Sequence, residues 1–303
     1  MKISKRESGI LDAVLEKRTT AKELSTALGI KKSNLSGYLR KLSRLRLISV
    51  AKTGRKTEIR PDPQLSFGFA EAKAGFSSIK LADILIGGRP FLLSFLRTKK
   101  AFRLSEIDLP AATAKRMLGK LRSLGLVFMP SKGRYELRED AFPLAGFSRR
   151  MLMHAYLAEA ETELGAINEA RFSFDSAKGL EAVFMTDKET SPDRHWPTAY
   201  SEFSRYGISL ILAGRYYYAN IRPGPTDIIV HTLAISKDAR SIAYVSALMI
   251  KNNLDPERLL EKKQLFGLGE DFMNALVGFM RSKGGYAAPG FPSWGEVEAV
   301  AHV

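Results

Sequence analysis

The chain contains no cysteine. That absence excludes disulfide bonds, thiolate zinc sites, iron–sulfur clusters and cysteine nucleophiles, and it fits a reducing cytoplasm. Long hydrophobic runs are absent as well, since stretches such as ISLILAG and AYVSALMI fall far short of the roughly 20 residues that cross a bilayer. The charged, amphipathic start, MKISKRESGI, differs from the apolar core of a signal peptide. We therefore expect a cytoplasmic protein with no membrane partner.

Sequence motifs of common enzymes are also missing. There is no glycine-rich phosphate loop ending in Lys-Ser/Thr, no Gly-x-Ser-x-Gly elbow and no His-Glu-x-x-His pair. The best candidate for a metal site is a group of four side chains close together in the sequence: Asp187, Glu189, Asp193 and His195. Their surroundings, TDKETSPDRH, are more typical of an ordinary polar loop. We predict a non-enzymatic protein with no catalytic residues, no metal and no cofactor.

The excess of positive charge lies in the first half of the chain. The net charge of the whole sequence is +15. Lys and Arg outnumber Asp and Glu by 11 in residues 1–60 and by 8 in residues 61–150, whereas residues 151–303 carry a net charge of −4. This asymmetry predicts that one region contacts a polyanion and that another does not.

Residues 20–46 predict two helices joined by a tight turn. Thr20 and Glu23 have the spacing of a capping box, and Gly29 follows the first helix where a left-handed residue is favourable. In the second helix, 31–46, leucines recur at helical spacing: Leu35, Leu39, Leu42 and Leu45. The opposite face carries no acid, although a solvated helix usually mixes its signs. Its candidate DNA-binding residues are Lys31, Lys32, Ser33, Asn34, Ser36, Tyr38, Arg40 and Lys41.

After residue 47 the sequence pattern alternates, which predicts a hairpin whose wing spans residues 50–58. Its basic tip carries Lys52, Arg55 and Lys56 around a glycine. Helix, helix–turn–helix and hairpin follow one another as in a winged helix–turn–helix domain, which we place at residues 1–61. We expect Asn34, Ser36 and Arg40 to contact base edges in the major groove, while the lysines and the wing contact phosphates.

The first 60 residues resemble the winged-helix DNA-binding domains of the multiple-antibiotic-resistance and arsenic-repressor type. The segments that carry the resemblance are Glu23-Leu24, Ala27-Leu28-Gly29-Ile30, Leu35, Tyr38-Leu39, Lys41-Leu42 and Leu47-Ile48. Two positions differ from that type. Lys31 stands where a Ser or Thr usually caps the recognition helix, and Gly37 lies in the middle of that helix. Gly37 either allows a close approach of the helix to DNA or is a tolerated defect in the helix.

The basic half contains an internal repeat. KLSRLRLISVAKTGRKTEIR (41–60) aligns with KLRSLGLVFMPSKGRYELR (120–138), which predicts a second winged helix–turn–helix domain at 81–146. Its candidate DNA-binding residues are Lys115, Arg116, Lys120, Lys132 and Arg134. The second domain could instead dock against the first or mediate a homodimer. We expect residues 62–80, a linker containing three Phe residues, to be packed.

The acidic half predicts a mixed α+β effector or partner domain at 147–285, followed by a loosely attached tail at 286–303. Expected strands include EAVFMTD, ISLILAG and RYYYANI, and helices follow after residue 226. Trp196 and Tyr217 are candidates for a surface that contacts a partner or ligand, although core packing is the commoner role of such tyrosines. The predicted fold class is therefore α+β, with two tandem winged helices before the effector domain.

The whole chain also looks similar to antitoxins of the type IV abortive-infection systems and to related archaeal helix–turn–helix regulators. The segments that carry this similarity are the N-terminal winged helix, AYSEFSRYGISLILAGRYYYANI, TDIIVHTLAISKDARSIAYVSALMIKNN and the closing Leu265-Phe266-Gly267-Leu268. It implies an autorepressor that neutralises a nucleotidyltransferase toxin, although the second winged helix departs from that pattern.

Our leading prediction is a sequence-specific regulator that binds double-stranded DNA, associated with the nucleoid. The antitoxin and a sequence-blind chromatin protein are the alternatives. A toxin, a small-molecule effector or a second copy of the chain are the other predicted partners.

Overall fold

The computed structural model describes residues 3–53, 56–76, 79–99, 101–107, 109–175 and 179–302. The chain divides into two compact units, Met1–Glu159 with Ser176–Leu180, and Ala160–Asp175 with Glu181–Val303. Within the described ranges, no helix is long and apolar enough to cross a membrane. The architecture is mixed α+β with a helix–turn–helix domain at its N-terminus.

The first unit begins with three helices and a hairpin, which are α1 (Lys5–Leu15), α2 (Ala21–Leu28), α3 (Lys32–Arg44), β1 (Ile48–Thr53) and β2 (Lys56–Pro61). The two strands are antiparallel, with Val50 opposite Ile59. The backbone N–H of Ile59 also donates to the carbonyl oxygen of Thr19 over 2.7 Å. The segment between α1 and α2 therefore extends the edge of the hairpin.

The predicted local features of α2 are confirmed. The Thr20 hydroxyl accepts from the Glu23 backbone N–H over 3.2 Å, and the Glu23 carboxylate accepts from the Thr20 N–H over 3.0 Å. Gly29 ends the helix at φ +60°, in the left-handed region. The predicted leucines of α3 are buried with Leu24 of α2, and each such side chain contributes about 1.5–3 kcal/mol through burial. The leucine pattern thus fixes which face of α3 turns outward.

The segment after the hairpin forms a helix that packs within the first unit. Helix α4 (Pro63–Gly75) starts at Asp62, whose side chain accepts from the backbone N–H of Gln64 over 2.9 Å. The rings of Phe69 and Phe147 lie 6.1 Å apart, and the Lys73 ammonium lies 3.2 Å from a Glu16 carboxylate oxygen. Residues 63–75 are therefore a structural part of the first unit.

A second set of elements follows within the same unit. It comprises α5 (Leu81–Ile84), α6 (Arg89–Leu96), β3 (Phe102–Arg103), a 3₁₀ turn (Leu104–Glu106), α7 (Ala111–Ser123), β4 (Val127–Ser131) and β5 (Arg134–Leu137). The three strands form an antiparallel sheet in the order β3–β5–β4, and Gly133 turns the hairpin at φ +76°. From α6 onward, this order of helix, edge strand, short helix, helix and hairpin is the order found in residues 5–61.

A long helix, α8 (Phe142–Leu164), follows, and the second unit then forms a sheet. Its strands are β6 (Glu169–Ser173), β7 (Glu181–Thr186), β8 (Trp196–Pro197) and β9 (Tyr216–Ala219), in the antiparallel order β6–β7–β9–β8. The helices of this unit are α9 (Pro225–Ile235), α10 (Ala239–Lys251), α11 (Glu270–Arg281) and α12 (Trp294–His302). Buried apolar side chains of α9 to α12 form one core with Phe203 and Ile208.

Three expectations for the second unit were wrong. The strand expected at 208–214 is irregular, because β9 already has β7 on one side and β8 on the other. Of the helices expected after residue 226, the one at 256–266 is instead two 3₁₀ segments, Pro256–Lys262 and Leu265–Gly267, separated at residues 263–264, and Phe266 within the second has a φ of +53°. The expected loose tail contains α12, where Val297 is buried and the Trp294 ring lies 5.7 Å from that of Phe279.

Candidate nucleic-acid interface

Helix α3 separates its two faces cleanly. Leu35, Leu39 and Leu42 are buried at 1%, 6% and 0% exposure. The exposed side chains on the other face are Lys31, Lys32, Ser33, Asn34, Ser36 and Arg40, and Tyr38 and Lys41 are half-buried. Six of the eight predicted contact residues are therefore open to solvent.

The start of α3 favours a negatively charged ligand. Lys31 occupies the capping position, where its side chain makes no capping hydrogen bond, and the first turn carries no acid. Free backbone N–H groups and the positive end of the helix dipole remain available there. A DNA phosphate would satisfy both, since helix N-termini bind such groups. The basic residue at the cap is thus compatible with backbone contact.

Some predicted contact residues already have protein partners. The Lys41 ammonium lies 3.0 Å from a carboxylate oxygen of Glu7, which is itself buried. The Ser36 hydroxyl donates to the carbonyl oxygen of Ser33 over 2.8 Å. The Tyr38 hydroxyl accepts from the Arg6 guanidinium over 3.4 Å. Lys41 therefore helps to hold α3 against α1, whereas Arg40 and Lys32 point away from the core.

The hairpin lies beside α3. A groove of about 400 Å³ runs between them, lined by Leu35, Leu39, Arg40, Val50 and Lys52 among others. Lys52 is exposed on β1. Arg55 lies outside the described residues, and Lys56 is described only as a backbone position in β2. The described part of the wing thus presents one lysine and an apolar wall next to the recognition helix.

The second set of elements is less uniformly basic on its surface. Lys115, Arg116, Lys132 and Arg134 are exposed. Lys120 is half-buried, and its ammonium lies 3.5 Å from an Asp83 carboxylate oxygen. On β4, Phe128 and Met129 expose 42% and 37% of their surface. This hairpin therefore exposes apolar side chains, and the alignment with the first hairpin did not predict that exposure.

The candidate partner residues of the second unit are partly withdrawn from solvent. Tyr217 is only 5% exposed, and Trp196 is half-buried on β8. Tyr218 is also buried, and its hydroxyl accepts from the Thr190 N–H over 2.8 Å. Most of the surface of Tyr217 and Tyr218 is therefore buried in the core. Tyr217 nevertheless contributes to the wall of a cavity in this unit.

The polar loop that contains Asp187, Asp193 and His195 is held by contacts with Glu163. His195 Nδ1 lies 2.9 Å from Glu163 Oε2, and the Arg194 guanidinium donates to Glu163 Oε1 over 2.5 Å. His195 is therefore engaged by Glu163 rather than by Asp187 or Asp193. Among the residues that the structure describes, no group of three or more His, Asp or Glu side chains could hold a metal ion.

Sequence reasoning missed two contributors to the first domain. Glu7 orients Lys41, and Thr19 with Thr20 provides the strand that pairs with β2 through Ile59 and Glu58. The Thr20 capping position was visible in the sequence, but its pairing with a strand 38 residues later was not.

Three helices and a two-stranded hairpin with an added edge strand define a winged helix–turn–helix DNA-binding domain. Residues 4–50 match the family model described as bacterial regulatory protein, arsR family. This match identifies the N-terminal region as that of a winged helix–turn–helix transcription regulator. No curated protein and no solved structure matches the chain. The similarity to abortive-infection antitoxins therefore has no support from these comparisons.

Proposed function

We propose that the protein is a non-enzymatic, sequence-specific transcriptional regulator that binds double-stranded DNA through α3 in the major groove. The observation that carries this proposal is the acid-free exposed face of α3, on a domain of the arsR family. A helix whose buried face is leucine and whose open face is Lys, Asn, Ser and Arg matches the polar edges and phosphates of a major groove.

The residues divide into two roles under this proposal. Asn34 and Arg40 are exposed and can form bidentate hydrogen bonds with adenine and guanine, respectively. Lys31 and Lys32 at the start of α3, and Lys52 on the wing, contact phosphates and set the position of the domain. Lys41 has a smaller part in DNA contact than the sequence suggested, because Glu7 offsets its charge.

We further propose that residues 81–146 form a second winged helix–turn–helix domain. The shared order of elements and the exposed Lys115, Arg116, Lys132 and Arg134 support this assignment. Two such domains in one chain would contact consecutive grooves of a duplex, and a homodimer would double that number. The second unit, with its negative net charge, would then receive an effector or a protein partner rather than DNA.

The test is selection of bound sequences from random duplex DNA by the full chain at about 150 mM salt, a concentration at which non-specific binding is weakened. A recurrent motif is the expected result. Replacing Arg40 with Ala should relax the preference at one or two positions, whereas replacing Lys52 with Ala should weaken all sequences about equally. Arg222→Ala, in the acidic second unit, is the matched control and should change neither.

Two other results would each overturn the proposal. Tight binding without any motif would indicate a sequence-blind chromatin protein. A failure to bind any duplex, by a folded preparation, would assign the winged helix to protein contacts instead.

A further inference from the structure

The second unit contains an open cavity of about 470 Å³. It lies between the 3₁₀ segment Ala199–Tyr206, strand β9 and the first turn of α10, under the irregular segment 208–215. Cavities that hold small molecules usually measure about 300–1,000 Å³. The volume is thus appropriate for a compound of one or two rings.

Three tyrosines form the wall of this cavity: Tyr200, Tyr217 and Tyr244. The ring centroids of Tyr200 and Tyr217 lie 5.5 Å apart, and those of Tyr200 and Tyr244 lie 6.5 Å apart, both in edge-to-face arrangements. Such clustered rings provide a rigid apolar wall that loses little conformational entropy when a ring packs against it.

Hydrogen bonds hold Tyr200 in place. The Tyr200 hydroxyl lies 2.6 Å from the Ser241 hydroxyl, which donates to Asp238 Oδ1 over 2.6 Å. Asp238 also accepts from the Ser241 backbone N–H over 2.7 Å. Burial raises the pKa of Tyr200 to about 12. The carboxylate of Asp238, which lines the cavity, is therefore engaged in hydrogen bonds that cap α10.

Two arginines stand at the mouth of the cavity. Arg240 Nε donates to the Tyr244 hydroxyl over 3.0 Å, and its guanidinium lies 5.4 Å from the Tyr244 ring centroid. Arg215 follows a tight turn in which Ala213 and Gly214 have φ values of +48° and +73° and in which the Arg215 N–H donates to the Leu212 carbonyl. Both guanidinium groups are exposed beside an aromatic wall.

An apolar side chain completes the mouth. Ile211, on the same segment, is 97% exposed. Packing a ring against this side chain would be favourable, because it would remove exposed apolar area from water.

We propose that this cavity binds a small planar molecule that carries an anionic group. The tyrosine wall and Ile211 take the ring, and Arg215 with Arg240 takes the carboxylate, phosphate or sulfonate. Guanidinium groups form the strongest hydrogen bonds with such oxyanions, and stacked rings supply the remaining contact area. The site would be the effector site of the regulator, an extension that rests on the proposed function.

The experiment measures binding by the full chain, without DNA, of two matched probe pairs. AMP is compared with adenosine, and 2-naphthoate with 2-naphthamide, by saturation-transfer NMR and calorimetry. In each pair the ring is constant and only one member carries the anionic group. We expect at least one anion to bind about tenfold or more tightly than its neutral partner, the effect of one to two charged hydrogen bonds.

The arginines are tested by the double variant R215Q/R240Q. Both side chains are exposed, so the fold should be retained, and the preference for the anion should disappear. R222Q, which removes an exposed arginine elsewhere in the same unit, is the matched control and should keep the preference. The site is disproved if neither pair shows a charge preference, or if the preference survives in R215Q/R240Q.

The role as an effector site has a separate test. The anion that binds is added to a complex of the protein with its selected DNA, and the affinity is measured for wild type and for R215Q/R240Q. A change in the wild type alone supports regulation. Binding of the anion with no change in DNA affinity would refute the regulatory role but leave the site established. A failure of DNA binding itself would leave the probe results unaffected.

Discussion

Lys41, on the helix that faces DNA in our proposal, is held by Glu7 of α1, with 3.0 Å between the ammonium and the carboxylate. Burial alone would raise the pKa of Glu7, but hydrogen bonds from the Ser4 backbone and from Lys41 outweigh it and lower the pKa. Glu7 is thus ionised at neutral pH, and its buried carboxylate is stabilised by Ser4 and Lys41. The pair ties the recognition helix to α1.

The first prediction concerns this pair. Replacing Lys41 with Ala leaves a buried carboxylate without a cation, so the free energy of unfolding should fall by about 1–3 kcal/mol. Replacing Lys32 with Ala removes an exposed charge and should lower DNA affinity with less than about 0.5 kcal/mol of change in stability. Urea denaturation and a DNA titration of both variants make the comparison. If Lys41→Ala lost only DNA affinity, the structural role would be refuted.

The second prediction concerns pH. Burial raises the pKa of the Asp12 carboxyl, although the nearby Lys73 partly opposes this, and Asp12 Oδ1 has no hydrogen-bond partner. Because the pKa of Asp12 is raised in the folded state, the stability that its protonated form contributes is fully present below the pKa of the unfolded chain, about 3.8. That contribution is lost as pH rises through the pKa of the folded state. Asp12→Asn should therefore stabilise the protein at pH 7 by about 1 kcal/mol.

The gain from Asp12→Asn should shrink toward zero below the unfolded pKa, as thermal denaturation across pH would show. Glu16→Gln, one turn further on and just past the end of α1, is the control. Glu16 is half-exposed and pairs with Lys73, so its effect should stay below about 1 kcal/mol. An Asp12→Asn gain that is equal at all pH values would contradict the role of ionisation.

The third prediction distinguishes the two roles that the sequence left open for Gly37. Gly37 lies within α3, is exposed, and an added Cβ would meet nothing within 4 Å. Gly37→Ala should thus raise stability by about 0.5–1 kcal/mol through helix propensity. If Gly37 allows a close approach to DNA, affinity should fall severalfold while stability rises.

Gly119→Ala, in α7, is the control for Gly37→Ala. It also has open space around its Cβ position and should stabilise the protein to a similar extent. Equal DNA affinity for wild type and Gly37→Ala would show that the glycine is a tolerated defect, a result that circular dichroism and a DNA titration together can establish.

The sequence predicted local features well. The capping box of Thr20 with Glu23, the left-handed Gly29 and the buried face of α3 all depend on residues within a few positions of one another. The structure adds contacts between distant positions. Glu7 and Lys41 are 34 residues apart, and nothing near Glu7 in the sequence marks it as the partner of Lys41.

The errors have a related cause. ISLILAG has the composition of a strand, but it cannot pair with the adjacent β9, because β7 and β8 already occupy both edges of that strand. Its residues divide instead between the core, which takes Ile208, and the cavity mouth, where Ile211 is exposed. The cavity of the second unit was likewise not predictable, because its arginines and tyrosines come from separate elements that only the fold brings together.

The last prediction tests the second winged helix–turn–helix domain. Lys115 and Arg116 are exposed on α7, whereas Lys120 of the same helix lies 3.5 Å from Asp83. If this domain contacts DNA, the double variant K115A/R116A should weaken binding and reduce the slope of log affinity against log salt by about 2, because two phosphate contacts are lost. Lys120→Ala, the control, should change the slope by less than about 1, since Asp83 offsets its charge.

The same measurement separates DNA contact from protein contact in this domain. An unchanged slope in K115A/R116A, with an intact selected motif, would mean that α7 lies away from the duplex. The exposed Phe128 and Met129 of β4 would then be the better guide to what this domain binds. A reduced slope would instead show that phosphate contacts extend beyond α3 and the first wing, so that one chain binds the duplex at two places.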